Sequence, residues 1–150
     1  MKFGKTLKRI SSSCDPEWSP YWLDYKGLKS KINRLHEVSP EQLLGKKLTK
    51  RKLCQDELET DFFYELHWTL QRTAEFYDSE MKALMIRYRR LQFAVRECHK
   101  SDMKSFSKHC SKCLQLCSQL YKDCVELETF AVTQYCGFGK ILKKHDKNTG

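Results

Sequence analysis

Between Lys46 and Cys136 the chain runs for 91 residues without a proline or a glycine. The two residues that most strongly interrupt regular structure are missing, and the apolar positions recur in steps of three and four. The stretch therefore reads as helix throughout. Two long helices account for most of it. The first runs from about Cys54 to Cys98, with a repeat through Phe63, Leu66, Leu70, Thr73, Tyr77, Leu84, Tyr88, Leu91, Val95 and Cys98. Ser101-Asp102 offers an N-cap for the second. That helix carries a heptad seam in Met103, Phe106, Cys110, Cys113, Cys117, Leu120, Cys124, Leu127 and Ala131. The short turn near Lys100 makes the pair an antiparallel hairpin.

Upstream, Phe3, Leu7 and Ile10 form the apolar face of a short first helix. Cys14 to Pro20 reads as a turn, and Tyr21 to about Arg34 as a second helix with Tyr21, Leu28, Ile32 and Leu35 facing inward. Residues 36–52 look like a mobile basic connection. Gly137 and Gly139 are expected to end the second long helix, after which Lys140 to Lys147 restarts as a short basic one. The expectation is a single all-α domain over 1–150. It divides into a helical hairpin (1–35), a basic loop (36–52), two long antiparallel helices (53–136) and a basic C-terminal helix (137–150). With 150 residues, 40% apolar, there is room for one modest core.

The net charge of +9 lies at the two ends. Residues 1–53 hold 13 Lys/Arg against 5 Asp/Glu, residues 137–150 hold 4 against 1, and the 83 residues between them 11 against 13. A function that uses this charge would most simply bring the ends together. Lys140, Lys143, Lys144 and Lys147 stand at i, i+3, i+4 and i+7, the spacing of one helical face. A row of ammonium groups repels itself unless an anion is expected beside it. Tyr25 and Lys29, four apart, combine a directed hydroxyl donor with a rotatable charge, a sensible phosphate grip. Taken alone, they read first as boundary packing and a solvated cation. Lys2 and Lys5, with Lys8 and Arg9 one turn further, add charge near the amino end of the first helix, where the dipole also favours an anion.

No apolar run approaches the roughly 18 residues of a membrane span, and the start lacks the apolar core of a secretory signal. The eight cysteines read as reduced thiols. Cys110-x-x-Cys113, with His109, Cys98 and His99, is a possible zinc set across the hairpin. Because Cys110, Cys113, Cys117 and Cys124 lie on the heptad seam, they read first as small core residues, and no metal site is assigned. Trp68, Phe76, Tyr77 and Tyr88 stand at helical spacings and read as core. No nucleophile with a base, phosphate-binding glycine loop or acid/base pair is present, so the chain does not read as an enzyme.

Several of these blocks together resemble the SPX domain family. They are Met1-Lys2-Phe3-Gly4-Lys5, Pro16-Glu17-Trp18 followed by Tyr21-x-x-x-Tyr25-x-x-Leu28-Lys29, Glu75-Phe76-Tyr77, and Gly137-Phe138-Gly139-Lys140-Ile141-Leu142-Lys143-Lys144-His145-Asp146-Lys147. The resemblance implies an N-terminal helical hairpin laid against two long helices. It also implies a cytoplasmic or cytosol-facing sensor of phosphate status that binds inositol polyphosphates such as inositol hexakisphosphate, or inositol pyrophosphates, with no cofactor. By position, Tyr25, Lys29 and Lys144 correspond to the family's phosphate-binding cluster, and Lys140, Lys143 and Lys147 to the surrounding lysine surface. Lys2 and Lys5 contribute from the first helix.

The cysteine-rich second long helix departs from the family pattern, so the resemblance says nothing about its redox or zinc chemistry. Members usually continue into an effector: a transporter or exporter, a polyphosphate polymerase, a ubiquitin ligase, or a regulator of transcription factors. A chain that stops at Asn148-Thr149-Gly150 is expected to be a domain cut from a longer protein, its effector partner unidentified. Nucleic acid is not an expected partner, but the same charge leaves one rival: a helical module binding nucleic acid or an anionic membrane.

Overall fold

The computed structural model describes residues 2–38, 48–100 and 103–149, and among them every regular element is helical. Helix α1 covers Phe3–Ser11, a 3-10 segment Pro16–Tyr21, α2 Tyr25–Val38, α3 Leu48–His99 and α4 Met103–Thr149. Contacts group the chain into two units. One joins residues 1–74 to residues 132–150, and the other comprises residues 75–131.

In the first unit both ends of the chain share one core. Leu28, Ile32 and Leu35 of α2 close on Phe62 and Leu66 of α3 and Ile141 of α4, with Leu23 beside them. Phe62, Ile32 and Ile141 are wholly inaccessible to solvent. The 3-10 segment starts where Asp15 accepts a hydrogen bond from the Glu17 N–H (2.9 Å), with Pro16 in the first position. Helix α2 begins four residues later than the periodicity suggests, at Tyr25. Pro20 lies inside the 3-10 turn, and Asp24 supplies the cap by accepting from the Gly27 N–H (2.9 Å). A Cβ at position 27 would run into that carboxylate, so glycine lets the cap close.

A buried amide ties this N-terminal segment to α4. The Gln134 side chain, 2% exposed, accepts from the Leu23 N–H (3.1 Å) and donates through Nε2 to the Tyr21 carbonyl (2.7 Å). The Thr73 hydroxyl of α3 donates to the same carbonyl (3.3 Å). Two backbone groups between the 3-10 segment and α2 are thus satisfied by side chains of α3 and α4. On the other side of α2, Lys31 bonds to Asp61 (2.7 Å) and pairs with Glu65 of α3. The Asp61 hydrogen bond, then that to Glu65, holds the Lys31 ammonium above the usual lysine range.

In the second unit α3 and α4 are antiparallel neighbours, and among the described residues of that unit there is no third element. Phe76 and Phe130 meet edge to face at 5.2 Å, Arg87 pairs with Asp123, and Gln119 donates to Asp123 (2.9 Å). A helix with one neighbour buries a narrow stripe. The seam through α4 is therefore only partly covered: Leu127 is buried and Cys110 half-buried, whereas Phe106, Cys117 and Cys124 are exposed. The reading of all four seam cysteines as core is corrected accordingly. Tyr88 is likewise exposed, as is Trp68 in the first unit, while Phe76 is buried as expected.

Two boundaries also differ. The expected loop 36–52 is shorter, since α2 continues to Val38 and α3 starts at Leu48; residues 39–47 lie outside the described residues, as does the proposed cap Ser101-Asp102. More consequentially, Gly137 and Gly139 do not end a helix. Helix α4 passes through both without adopting a left-handed conformation, so the basic row is its last turns rather than a separate element. Gly137 is there for clearance: a Cβ would sit 2.6 Å from Leu23 Cδ2 and 3.4 Å from the Phe3 ring. Gly139 has open space around it.

The two glycines should consequently respond in opposite directions to alanine. Gly139→Ala is expected to raise stability by up to about 1 kcal/mol through helix propensity. Gly137→Ala should fall about 1–3 kcal/mol below that variant, because the buried Leu23 must move. Gln134→Leu should cost about 1–3 kcal/mol by leaving the Leu23 N–H without its acceptor. Urea unfolding followed by circular dichroism measures all three.

Candidate anion-binding site

Three helix ends converge on the Phe3 ring. Phe3 opens α1 and meets Tyr25, the first residue of α2, edge to face at 5.0 Å. From α4, Gly137 lets the backbone approach that ring, and one turn on, the Lys140 ammonium stands over it at 5.6 Å. Cation–aromatic attraction of this kind holds a flexible lysine near the junction rather than free in solvent. Gly4 lies against Tyr25, its Cβ position 3.5 Å from Cδ1, so α1 and α2 are in ordinary van der Waals contact there.

Beside this junction lies a groove of about 720 Å³ between α1 and α2, whose cationic lining is Lys2, Lys5, Lys8, Lys26 and Lys29, with Tyr25 among them. Neither α1 nor α2 has an acidic residue in its first turn. The one carboxylate in the wall among the described residues, Asp24, is engaged in capping Gly27. The helix dipoles at these amino ends add to the lysine charge.

The terminal lysines are held by the inward face of α4. Ile141 is inaccessible, and His145, 5% exposed, stacks on Phe62 at 5.0 Å with Nε2 3.3 Å from Glu59 Oε1. These contacts fix the rotation of the last turns. By the 100° step of a helix, Lys144 lies closest to the buried face, Lys140 and Lys147 next, and Lys143 farthest round. Lys144 is half-buried and the other three are exposed, in agreement with that order.

The contrast with Lys31 defines the electrostatics. Lys31 is neutralised by two carboxylates, whereas none of Lys2, Lys5, Lys8, Lys26, Lys29, Lys140, Lys143, Lys144 and Lys147 forms a salt bridge with a described residue. Of the residues expected from the sequence, the fold places Lys2, Lys5, Tyr25 and Lys29 around one groove and brings Lys140 to its edge through Phe3. Lys143, Lys144 and Lys147 do not line that groove; they share α4 with Lys140. Lys26 and Phe3 were not singled out. Lys26 follows Tyr25 directly, and helical spacing gives no reason to place neighbours in one groove; Phe3 reads as plain core until its ring is seen between Tyr25 and Lys140.

Residues 1–53, which supply the groove, match the SPX domain family, and relatives that carry the SPX name align across the whole chain. The chain is thus similar to SPX domain proteins. SPX domain-containing protein 5 of Oryza sativa subsp. indica is 29% identical over 150 residues, covering 100% of this chain and 53% of the relative. SPX domain-containing protein 2 of Arabidopsis thaliana is 28% identical over 160 residues, with the same coverage. Glycerophosphocholine phosphodiesterase GDE1 of Candida albicans is 29% identical over 150 residues, covering 98% of this chain and 12% of that protein. The chain thus spans about half the length of the SPX relatives it matches. The SPX family is one of regulatory modules tied in general to phosphate homeostasis. Among the described residues no helix is long and apolar enough to cross a membrane.

Proposed function

We propose that this SPX-like chain is a phosphate-status signalling module whose lysine surface binds inositol polyphosphates or inositol pyrophosphates and thereby regulates an attached or partner effector. The observation that carries the reading is the set of lysines from α1, α2 and α4 without a carboxylate partner among the described residues, in a unit that does pair Lys31. Uncompensated like charges raise the energy of the empty surface, and a ligand with several phosphates on one ring relieves it at many points at once. Lysine suits phosphates arriving from several directions; planar, bidentate recognition would call for arginine.

Tyr25 is assigned a hydroxyl hydrogen bond to one phosphate, and Lys29 and Lys144 charge-assisted contacts beside it. Lys2 and Lys5 extend the contact on the α1 side, and Lys140, Lys143 and Lys147 form the wider surface that rewards a densely phosphorylated ligand. A single orthophosphate meets only part of this set and binds far more weakly. Ligand binding neutralises the surface, and an effector able to distinguish the bare from the neutralised surface is then regulated. The chain itself carries out no reaction in this scheme.

Titration calorimetry with inositol hexakisphosphate, orthophosphate, duplex DNA and anionic vesicles, at two salt concentrations, tests the assignment. The inositol ligand should bind well above the other three. Lys29→Ala and Lys144→Ala should each weaken it by about tenfold or more, as expected for losing one charged hydrogen bond. An unchanged affinity in the folded double variant would remove the site. Equal or tighter duplex binding with a steep salt dependence would replace the reading with a nucleic-acid one.

A further inference from the structure

The turn end of the helix pair in the second unit holds thiols that the anion site does not use. Cys98, in the last turn of α3, is buried, and its Sγ lies 3.5 Å from the Sγ of Cys110 on α4. Cys113, one turn further along α4, also faces Cys98. With Leu91, Phe106 and Leu114, these thiols line an apolar cleft of about 330 Å³. Among the described residues no group of three or more His, Cys, Asp and Glu is arranged to hold a metal ion. Loss of solvation, with Cys110 next in weight, pushes the Cys98 thiol up to about 11. It therefore remains S–H near neutral pH.

We propose that Cys98 and Cys110 form an oxidisable pair, a modification site that a small peroxide converts to an intramolecular disulfide joining α3 to α4. Sulfurs already in contact across two helices need to close by only roughly 1.5 Å to reach bonding distance, within the reach of side-chain rotation. Cys110, half-buried, is the thiol that meets the oxidant first. Its thiolate attacks one peroxide oxygen, the O–O bond breaks, and the released hydroxide is protonated to water, leaving a sulfenic acid on Cys110. The Cys98 sulfur then attacks the Cys110 sulfur. The S–O bond breaks and the Cys98 proton leaves with that oxygen as a second water. Two electrons pass from the two thiols to the peroxide, which is consumed. The high proton affinity of Cys98 fits it to this second role and makes the closing step the slow one.

The test treats the reduced full chain, at low protein concentration, with hydrogen peroxide, alkylates the remaining thiols and maps the peptides by mass spectrometry. The expected product is a monomer lighter by two hydrogens, with the Cys98 and Cys110 peptides joined and separated again by dithiothreitol. Cys98→Ala and Cys110→Ser should each abolish the bridge, while Cys113→Ser and Cys117→Ser retain it; circular dichroism checks that each variant is helical. The wild-type map is decisive even where a variant misfolds. A bridge from Cys98 to Cys113 that survives Cys110→Ser overturns the assignment. So does a product that is only intermolecular, or oxidation of Cys110 to sulfinic acid with Cys98 still alkylatable.

Discussion

The side-chain amide of Gln134 satisfies two backbone groups that lie more than a hundred residues away in sequence. Leu23 and Tyr21 sit where the 3-10 segment hands over to α2, a place where neither helix can supply hydrogen-bond partners. Inside a core such groups are costly to leave unmet, and one amide with an acceptor and a donor meets both. The position of α2 against α4 follows from this contact, and with it the placing of Tyr25 and Lys29 near the end of α4. The candidate anion site is therefore assembled by a buried polar interaction rather than by the lysines, which repel one another.

The same unit shows how charge is sorted. Lys31 and Lys29 stand two residues apart on α2. Lys31 faces α3 and is neutralised by Asp61 and Glu65. Lys29 faces the groove, where the only carboxylate among the described residues is occupied in capping. A surface whose lysines were merely solubilising would show interspersed acids, as the middle of the chain does. Here the acids are withheld from one side of α2 and supplied on the other.

Much of this was legible in the sequence, and the limits have physical causes. The long helices follow from periodicity and from the missing breakers, and the inward residues Leu28, Ile32 and Leu35 from their spacing. The family resemblance, carried by blocks at both ends, named Tyr25, Lys29 and the lysine row. The two glycines misled because glycine after a periodic run usually marks a helix end, whereas Gly137 is required by Leu23 and Phe3 of another segment. Gln134 was invisible, since an amide at a helical position reveals nothing of the backbone groups it will meet. The cysteine seam looked like core because a heptad pattern specifies which side faces the partner helix, without specifying whether anything covers the flanks.

The uninterrupted passage of α4 through Gly137 and Gly139 bears on how the site can vary. Because Gln134, Gly137, Lys140 and Lys144 ride on one rod, their angular relation is set by residue count alone, about 100° for each position. A flexible joint between the core-facing part and the lysines would absorb an added or lost residue; a continuous helix transmits it as a rotation of every lysine about the axis. Side chains on this stretch can be exchanged one at a time, but its length admits no change by a single residue without turning the charged stripe away from Phe3.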